Sequence, residues 1–223
     1  MPVLSSLWDE ILLADPTFLA YKSQISYAGG VPVFFPTYEE DGWRIKAKNA
    51  EPFITEKTKG IFLCNPNNPT GTLIPAESVK ELITAFPETA FLLDEAYIEF
   101  SGAVSSAPLV REHDNLLITR TLSKAFGLAN IRFGYLIASE GNIQAISRIR
   151  NPKNITTFTQ VAATAALRDA DYMRAYAEEV MRAREMLIRA MNSEPLSGCF
   201  RAFPGSGNFV LVRCAPSGTK QAV

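Results

Sequence analysis

The chain contains 223 residues, of which 47% are hydrophobic and 20% are charged, a composition typical of a globular protein with an extensive core. Its 22 Lys and Arg residues almost balance its 23 Asp and Glu residues, so the net charge is −1. Neither nucleic acid nor a membrane surface is therefore an expected partner. No apolar run approaches the ~18 residues that span a bilayer.

The first residues lack the charged and apolar regions of a signal peptide, and we therefore expect a cytoplasmic location. The three cysteines lack metal-ligand spacing, and the single histidine, His113, excludes a multi-histidine metal site. We accordingly expect no metal.

Short apolar runs predict strands at residues 10–14, 31–35, 59–64, 90–93, 116–119 and 132–138. Helical spacing of apolar residues predicts helices at 17–27, with Thr17 as the N-cap, and at 75–86. Because short apolar strands alternate with helices, we predict a three-layer αβα fold built on a mostly parallel sheet.

The pattern becomes mainly helical from residue 142 onward, with helices predicted at 158–167 and 171–191 and a last strand at 209–212. We place a domain boundary near residue 168. Residues 1–168 are predicted to form the large domain, and residues 169–223 the beginning of a smaller α+β C-terminal domain.

A lysine follows the fifth predicted strand: Lys124 lies just beyond the apolar run that ends at Thr119. Ligands of open α/β sheets bind at the carboxyl ends of the strands, and a lysine amine that loses its hydration there becomes a nucleophile toward aldehydes. The alternative interpretation is a solvated loop lysine.

Polar motifs also follow the third and fourth predicted strands. Asn65-Pro-Asn-Asn-Pro-Thr-Gly71 contains two prolines and a glycine, which restrict the loop and would hold Asn68 at the sheet edge; an ordinary Asn-Pro turn is the alternative. Asp94 follows an apolar strand and either caps a helix or pairs with the protonated ring nitrogen of a bound heteroaromatic group. Tyr97 would then reach a neighbouring phenolic oxygen.

Two hydroxyls and a guanidinium accompany the lysine, namely Thr121, Ser123 and Arg132. Arginine presents a planar fork that suits phosphate oxygens, although Arg132 has the alternative of a salt bridge at the start of the sixth strand. An amine, an acid, phenolate donors and a phosphate site together are what pyridoxal 5'-phosphate (PLP) requires.

The three motifs, 65–71, 94–97 and 121–124 with Arg132, resemble the signature of the fold-type I, class I/II PLP-dependent aminotransferases. The Asp-Pro-Thr-Phe segment at 15–18, the doubled Asn before Pro69 and Asp-Glu-Ala-Tyr resemble the histidinol-phosphate aminotransferase branch. The resemblance runs from about residue 9 to residue 213. It implies a PLP-binding large domain, an amino donor and a 2-oxo acid as substrates, and a homodimer in the full-length family.

The resemblance also implies roles for individual residues. Lys124 would bind the cofactor aldehyde covalently and later move a proton between substrate and cofactor. Asp94 would pair with the pyridinium nitrogen, and Asn68 and Tyr97 would bind the phenolic oxygen.

Within the same resemblance, Thr121, Ser123 and Arg132 would bind the phosphate. Asn208, in Gly205-Ser-Gly-Asn-Phe-Val, is similar to a family segment that passes near the substrate.

The chain departs from the family in length, and we expect it to be truncated at both ends. The expected missing parts carry a phosphate loop, an aromatic that stacks on the ring, and an arginine for the substrate carboxylate. Three functions stay open: an aminotransferase, a PLP-dependent decarboxylase of the threonine-phosphate type, and a catalytically inactive fragment.

Overall fold

A six-stranded sheet organises residues 9–215, the part of the chain described by the computed structural model. Its strands are β1 (Glu10–Asp15), β2 (Val31–Pro36), β3 (Thr58–Cys64), β4 (Ala90–Asp94), β5 (Leu116–Thr121) and β6 (Gly134–Ile137). The strand order is β2-β1-β3-β4-β5-β6. The first five strands are parallel, and β6 is antiparallel to β5, so the predicted mostly parallel sheet is confirmed.

Helices connect the strands and continue the chain beyond β6. They are α1 (Ala20–Tyr27), α2 (Ala47–Ala50), α3 (Ala76–Ala85), α4 (Glu140–Ser147), α5 (Thr157–Arg168) and α6 (Ala170–Met191). A separate antiparallel hairpin follows, formed by β7 (Phe200–Ala202) and β8 (Val212–Cys214). No helix within residues 9–215 combines the length and the apolar character needed to span a bilayer.

The two faces of the sheet bury two separate apolar clusters, because side chains alternate along a strand. Leu12 and Ala14 of β1 pack in the first cluster with Val79 and Leu82 of α3. Ile11 and Leu13 pack in the second, whose other members come from α1, the end of β3, the segments after β4 and β5, and α6. Burying one such aliphatic side chain stabilises the fold by about 1.5–3 kcal/mol. Helices on both faces confirm the predicted three-layer architecture.

Two local predictions were wrong. Helix α1 begins at Ala20, with Leu19 at the N-cap position, and the Thr17 side chain does not cap it. A bend at Pro16 and two residues outside any helix, 17 and 18, separate β1 from the turn that leads into α1. The last strand begins at Val212, whereas 209–211 lie outside it. The three-residue strand β7 was missed because so short a run shows no alternation.

The predicted domain boundary after residue 168 stays a prediction. Asp169 separates α5 from α6, and its carboxylate caps α6 by accepting a hydrogen bond from the backbone N–H of Tyr172. Helix α6 nevertheless contributes Ala177 to the second core cluster, so this helix packs directly on the sheet domain.

Candidate active site

The carboxyl ends of β3, β4 and β5 bring the three polar motifs to one edge of the sheet. Cys64 at the end of β3 pairs in register with Asp94 at the end of β4, and Asp94 pairs with Thr119 of β5. Since neighbouring parallel strands lie about 4.8 Å apart, the segments that follow them are neighbours too. The edge thus collects Asn68, Asp94 and Lys124.

The loop after β3 is held from both sides by asparagine side chains. Asn65 Nδ2 donates to the Ile74 carbonyl at 3.0 Å, and Asn65 Oδ1 accepts from the Ile74 N–H at 2.7 Å. Asn67 Nδ2 donates to the Pro16 carbonyl at 3.2 Å, which ties the loop to the end of β1. Asn68 is thereby presented to Tyr97, whose hydroxyl oxygen accepts from Asn68 Nδ2 at 3.2 Å.

Gly71 closes this loop against a segment 134 residues further along the chain. It has a φ of +74°, and a Cβ built on it would lie 2.7 Å from the Cα of Gly205. The Gly71 carbonyl accepts a hydrogen bond from the Ser206 N–H at 2.7 Å. Only glycine combines a left-handed conformation with so close an approach between two backbones.

Asp94 is half-buried and both of its carboxylate oxygens accept hydrogen bonds. Tyr21 Oη donates to Oδ2 at 2.6 Å, and the Ala96 N–H donates to Oδ1 at 3.2 Å. Burial, together with the nearby Cys64 and Asp94, raises the pKa of Tyr21, so the phenol remains a donor. Sequence reasoning missed this contact because the helical spacing of Tyr21 indicates only that it faces the core.

Cys64 lies beside the same carboxylate. Its Sγ donates to the Pro66 carbonyl at 3.2 Å. Burial and then the Asp94 charge raise the pKa of the Cys64 thiol to about 12, so the thiol stays protonated at neutral pH. The Asp94 carboxylate is therefore flanked by a neutral phenol, Tyr21, and a neutral thiol, Cys64.

Lys124 is half-buried, and its Nζ lies 5.2 Å from the centroid of the Tyr97 ring. That ring is 93% buried and meets Phe209 edge-to-face, with the centroids 5.2 Å apart. Lys124 is therefore held against an aromatic wall at the sheet edge, which contradicts the alternative of a fully solvated loop lysine. An ammonium within 6 Å of an aromatic face is attracted to it.

The hydroxyls of Thr121 and Ser123 form a pair next to the lysine. Their oxygens are 3.0 Å apart, and the Ser123 N–H donates to Thr121 Oγ1 at 3.1 Å. Thr121 Oγ1 also lies 3.2 Å from the Phe133 carbonyl. The turn after β5 thus places the hydroxyls of Thr121 and Ser123 within hydrogen-bonding distance of each other.

Arg132 precedes β6 in a left-handed conformation, with a φ of +53°. Its side chain is exposed, and Nη1 donates to the Ala129 carbonyl at 3.0 Å. Within residues 9–215 it forms no ion pair, so the alternative of a salt bridge is not observed there. A non-glycine residue at positive φ is uncommon and often marks a functional position.

Asn208 is exposed and precedes Phe209, whose ring meets that of Tyr97 edge-to-face. The Gly207 carbonyl accepts from Arg184 Nη1 at 2.7 Å, and the same nitrogen donates to the Phe100 carbonyl at 3.0 Å. Arg184 of α6 thereby joins the Asn208 segment to the turn after Tyr97. Sequence reasoning missed Arg184, because its position in the helix predicted at 171–191 does not indicate which residues it contacts.

The described residues contain no cluster of three or more His, Cys, Asp or Glu side chains arranged to hold a metal ion. The polar groups at this edge are instead an amine, a carboxylate, an amide–phenol pair, paired hydroxyls and a guanidinium. That donor set fits an organic cofactor with an aldehyde, a basic ring nitrogen, a phenolic oxygen and a phosphate.

A mostly parallel sheet with these groups at its carboxyl edge is the arrangement of the PLP-dependent transferases of fold type I. Residues 5–222 match the family described as aminotransferase class I and II. The chain belongs to that family.

Individual relatives agree with this assignment. The chain is 39% identical to the dihydroxyacetone phosphate transaminase of Campylobacter jejuni and 34% identical to the histidinol-phosphate aminotransferase of Ruminiclostridium cellulolyticum. Each alignment covers 92% of this chain but only 55% and 56% of those relatives. The chain therefore spans about half the length of the curated relatives it matches.

A solved structure supports the fold directly. Histidinol-phosphate aminotransferase from Sinorhizobium meliloti, determined in complex with pyridoxal-5'-phosphate, superposes with a TM-score of 0.84 at 28% identity. The superposition covers 96% of this chain and 57% of that one. The prediction of fold type I is confirmed.

Proposed function

We propose that this chain is the cofactor-binding part of a PLP-dependent aminotransferase of the histidinol-phosphate aminotransferase type. One observation carries the proposal: the contacts Asn68–Tyr97, Lys124–Tyr97 and Thr121–Ser123 and the carboxylate of Asp94 all lie at one sheet edge. Membership of the aminotransferase class I and II family supports the proposal independently.

The residues present fit the cofactor by their chemistry. Asp94 supplies the acid for the ring nitrogen, and Asn68 and Tyr97 supply donors for the phenolic oxygen. Thr121, Ser123 and Arg132 supply hydroxyls and a guanidinium for the phosphate. When bound, PLP supplies an aldehyde that exchanges amino groups and a ring that accepts the electron pair released at the substrate carbon.

Asp94 would accept a hydrogen bond from the ring nitrogen. Its Oδ1 is oriented by the Ala96 N–H, and its Oδ2 is engaged by Tyr21. A carboxylate oriented in this way stabilises a positive charge on a ring nitrogen, because a charge-assisted hydrogen bond is roughly twice as strong as a neutral one. Because the Asp94 carboxylate is already held at the end of β4, binding of the ring requires less free energy to orient it.

Lys124 would serve both as the anchor of the cofactor and as an acid–base group. Its Nζ is half-buried against the Tyr97 ring, where it would hold the cofactor at the aldehyde carbon with loss of water. As a free amine it would move a proton at the substrate carbon. A positioned amine contributes about 10²–10⁴-fold to such a proton transfer.

The substrates are proposed to be an amino compound and a 2-oxo acid, with the amino compound carrying a phosphate. The names of the two relatives above, a dihydroxyacetone phosphate transaminase and a histidinol-phosphate aminotransferase, support a phosphate-bearing substrate. Asn208 is proposed to lie near that substrate. A homodimer and a cytoplasmic location remain expectations that rest on the family resemblance and on composition.

The visible spectrum of the purified chain with added PLP tests the proposal, with Lys124→Ala as the matched variant. We expect a band that depends on Lys124 and shifts when an amino acid is added. Absence of the band from the wild-type chain would contradict cofactor binding and would support the inactive-fragment alternative. Where turnover is measured, carbon dioxide release without 2-oxo acid formation would favour the decarboxylase alternative over the aminotransferase.

A further inference from the structure

A buried ionic cluster lies directly behind the proposed site. Arg120 of β5 donates from Nη2 to Glu99 Oε1 at 2.7 Å and from Nη1 to Glu95 Oε2 at 3.3 Å. The exposed fractions of these side chains are 16% for Arg120, 0% for Glu95 and 7% for Glu99. Two carboxylates therefore share one guanidinium in a nearly dry environment.

Glu95 has further partners that keep its carboxylate fixed. The Ser105 hydroxyl donates to Oε2 at 2.6 Å, and the Ser106 N–H donates to Oε1 at 2.8 Å. Burial raises the pKa of Glu95, although these two hydrogen bonds and Arg120 act in the opposite direction. A buried carboxylate is tolerated only when it is hydrogen-bonded and paired in this manner.

Each member of the cluster lies within two residues of a residue of the proposed site in the sequence. Glu95 follows Asp94, and its N–H donates to the Thr119 carbonyl at 2.9 Å. Glu99 lies two residues after Tyr97, in the 3₁₀ turn Ile98–Phe100. The cluster therefore joins the end of β4, the turn after it and the end of β5, and Lys124 follows that last strand.

Arg120 does not itself face the proposed cofactor. Side chains alternate along a strand, and Arg120 shares a face of β5 with Leu116 and Ile118, which belong to the first core cluster. Thr121 points to the opposite face. Any effect of Arg120 on the site must therefore be transmitted through the backbone segments that it holds.

We propose that Arg120, together with Glu95 and Glu99, is a positioning cluster that fixes Asp94, Tyr97 and the Thr121–Lys124 turn relative to one another. The inference rests on the proposed function, since the geometry that it preserves is that of the proposed cofactor site. The planar fork of arginine reaches two carboxylates at once, whereas a lysine ammonium is a single point charge.

Arg120→Lys tests the inference because it keeps the charge but not the fork. Glu99→Met is a second variant that leaves the Arg120–Glu95 pair in place. Arg189→Lys is the control, because Arg189 is exposed in the last turn of α6 and its Nε donates within that helix, to the Glu185 carbonyl at 3.3 Å. Far-ultraviolet circular dichroism and the Tm of the cofactor-free chain establish that each variant folds.

The informative readouts are the Kd for PLP and the pH midpoint of the Lys124-dependent visible band. We expect both test variants to raise the Kd about tenfold, the lower end of the loss that follows when residues orienting metal ligands are replaced, and to shift the midpoint. Arg189→Lys should match the wild-type chain. A role confined to stability would lower the Tm but leave the Kd and midpoint of the folded protein unchanged.

Wild-type Kd and midpoint in folded Arg120→Lys and Glu99→Met would overturn the positioning role. If Arg120→Lys does not fold, Glu99→Met decides the question by the same two readouts. Absence of a Lys124-dependent band from the wild-type chain would instead refute the proposed function itself, so the two failures are distinguishable.

Discussion

Replacement of Gly71 by alanine tests how the loop that carries Asn68 is held. The substitution places a Cβ at a residue with a φ of +74° and only 2.7 Å from the Gly205 Cα. The left-handed conformation costs an L-residue about 1–2 kcal/mol. The clash adds about 1–3 kcal/mol, the usual penalty for overpacking, because the Gly205 Cα is a backbone atom and cannot rotate away.

Gly42→Ala is the matched control. Gly42 has a nearly identical φ of +71°, but a Cβ there would meet nothing within 4 Å. The free energy of unfolding of Gly42→Ala should therefore fall only by the cost of the left-handed conformation, about 1–2 kcal/mol. The difference between the two variants isolates the close approach of the loop to the Gly205 segment.

Urea unfolding of the two variants and the wild-type chain measures how far each substitution lowers the free energy of unfolding. For a domain of this size each kcal/mol lowers the Tm by about 2–4 °C, so thermal unfolding provides a second determination. Equal destabilisation by Gly71→Ala and Gly42→Ala would refute the contact between the Asn68 loop and residues 205–206.

Two further predictions concern the surroundings of Asp94. Tyr21→Phe removes the 2.6 Å hydrogen bond to Asp94 and should lower the free energy of unfolding of the cofactor-free chain by about 1.5–3 kcal/mol. Tyr176→Phe, at a residue that is 39% exposed, is the control and should change the free energy of unfolding little. Equal effects of the two substitutions would contradict the hydrogen bond. Because the pKa of the Cys64 thiol is raised to about 12 in the folded chain from an ordinary value near 8.5, the folded state retains a proton that the unfolded state loses. The contribution of Cys64 to stability is therefore complete below about pH 8.5 and is lost as pH rises toward 12, at up to about 1.4 kcal/mol per pH unit. Cys64→Ala should flatten the fall in stability measured between pH 8.5 and 10.5, while Cys214→Ala should not; identical slopes in all three proteins would refute a perturbed thiol.

Those parts of the fold that depend on the local pattern of apolar residues could be predicted from the sequence. Alternation along β1 divides Ile11 and Leu13 from Leu12 and Ala14, and the structure buries these pairs on opposite faces. The placement of Asn68, Asp94 and Lys124 at one edge also followed from the sequence, because each comes just after a buried strand and the carboxyl ends of parallel strands meet.

The contacts that connect distant segments could not be predicted from local pattern. Tyr21 reaches Asp94 across 73 positions and Arg184 reaches Phe100 across 84, and nothing near either residue specifies its partner. Arg120 likewise comes after the apolar residues of β5, and the sequence around it does not indicate that it is buried between two glutamates. Thr17 illustrates the opposite error, since a residue type that favours the N-cap does not fix where the helix begins, and α1 begins three residues later at Ala20.

The central claim is that Lys124 is the residue that binds the cofactor. Borohydride treatment of the chain with PLP, followed by peptide mass spectrometry, tests it most directly, because reduction makes the covalent bond permanent and the other lysines serve as internal controls. The account predicts that the pyridoxyl group is found on Lys124 at stoichiometric PLP and is absent from that peptide in Lys124→Ala. Labelling spread evenly over the exposed lysines, with no preference for Lys124, would contradict it.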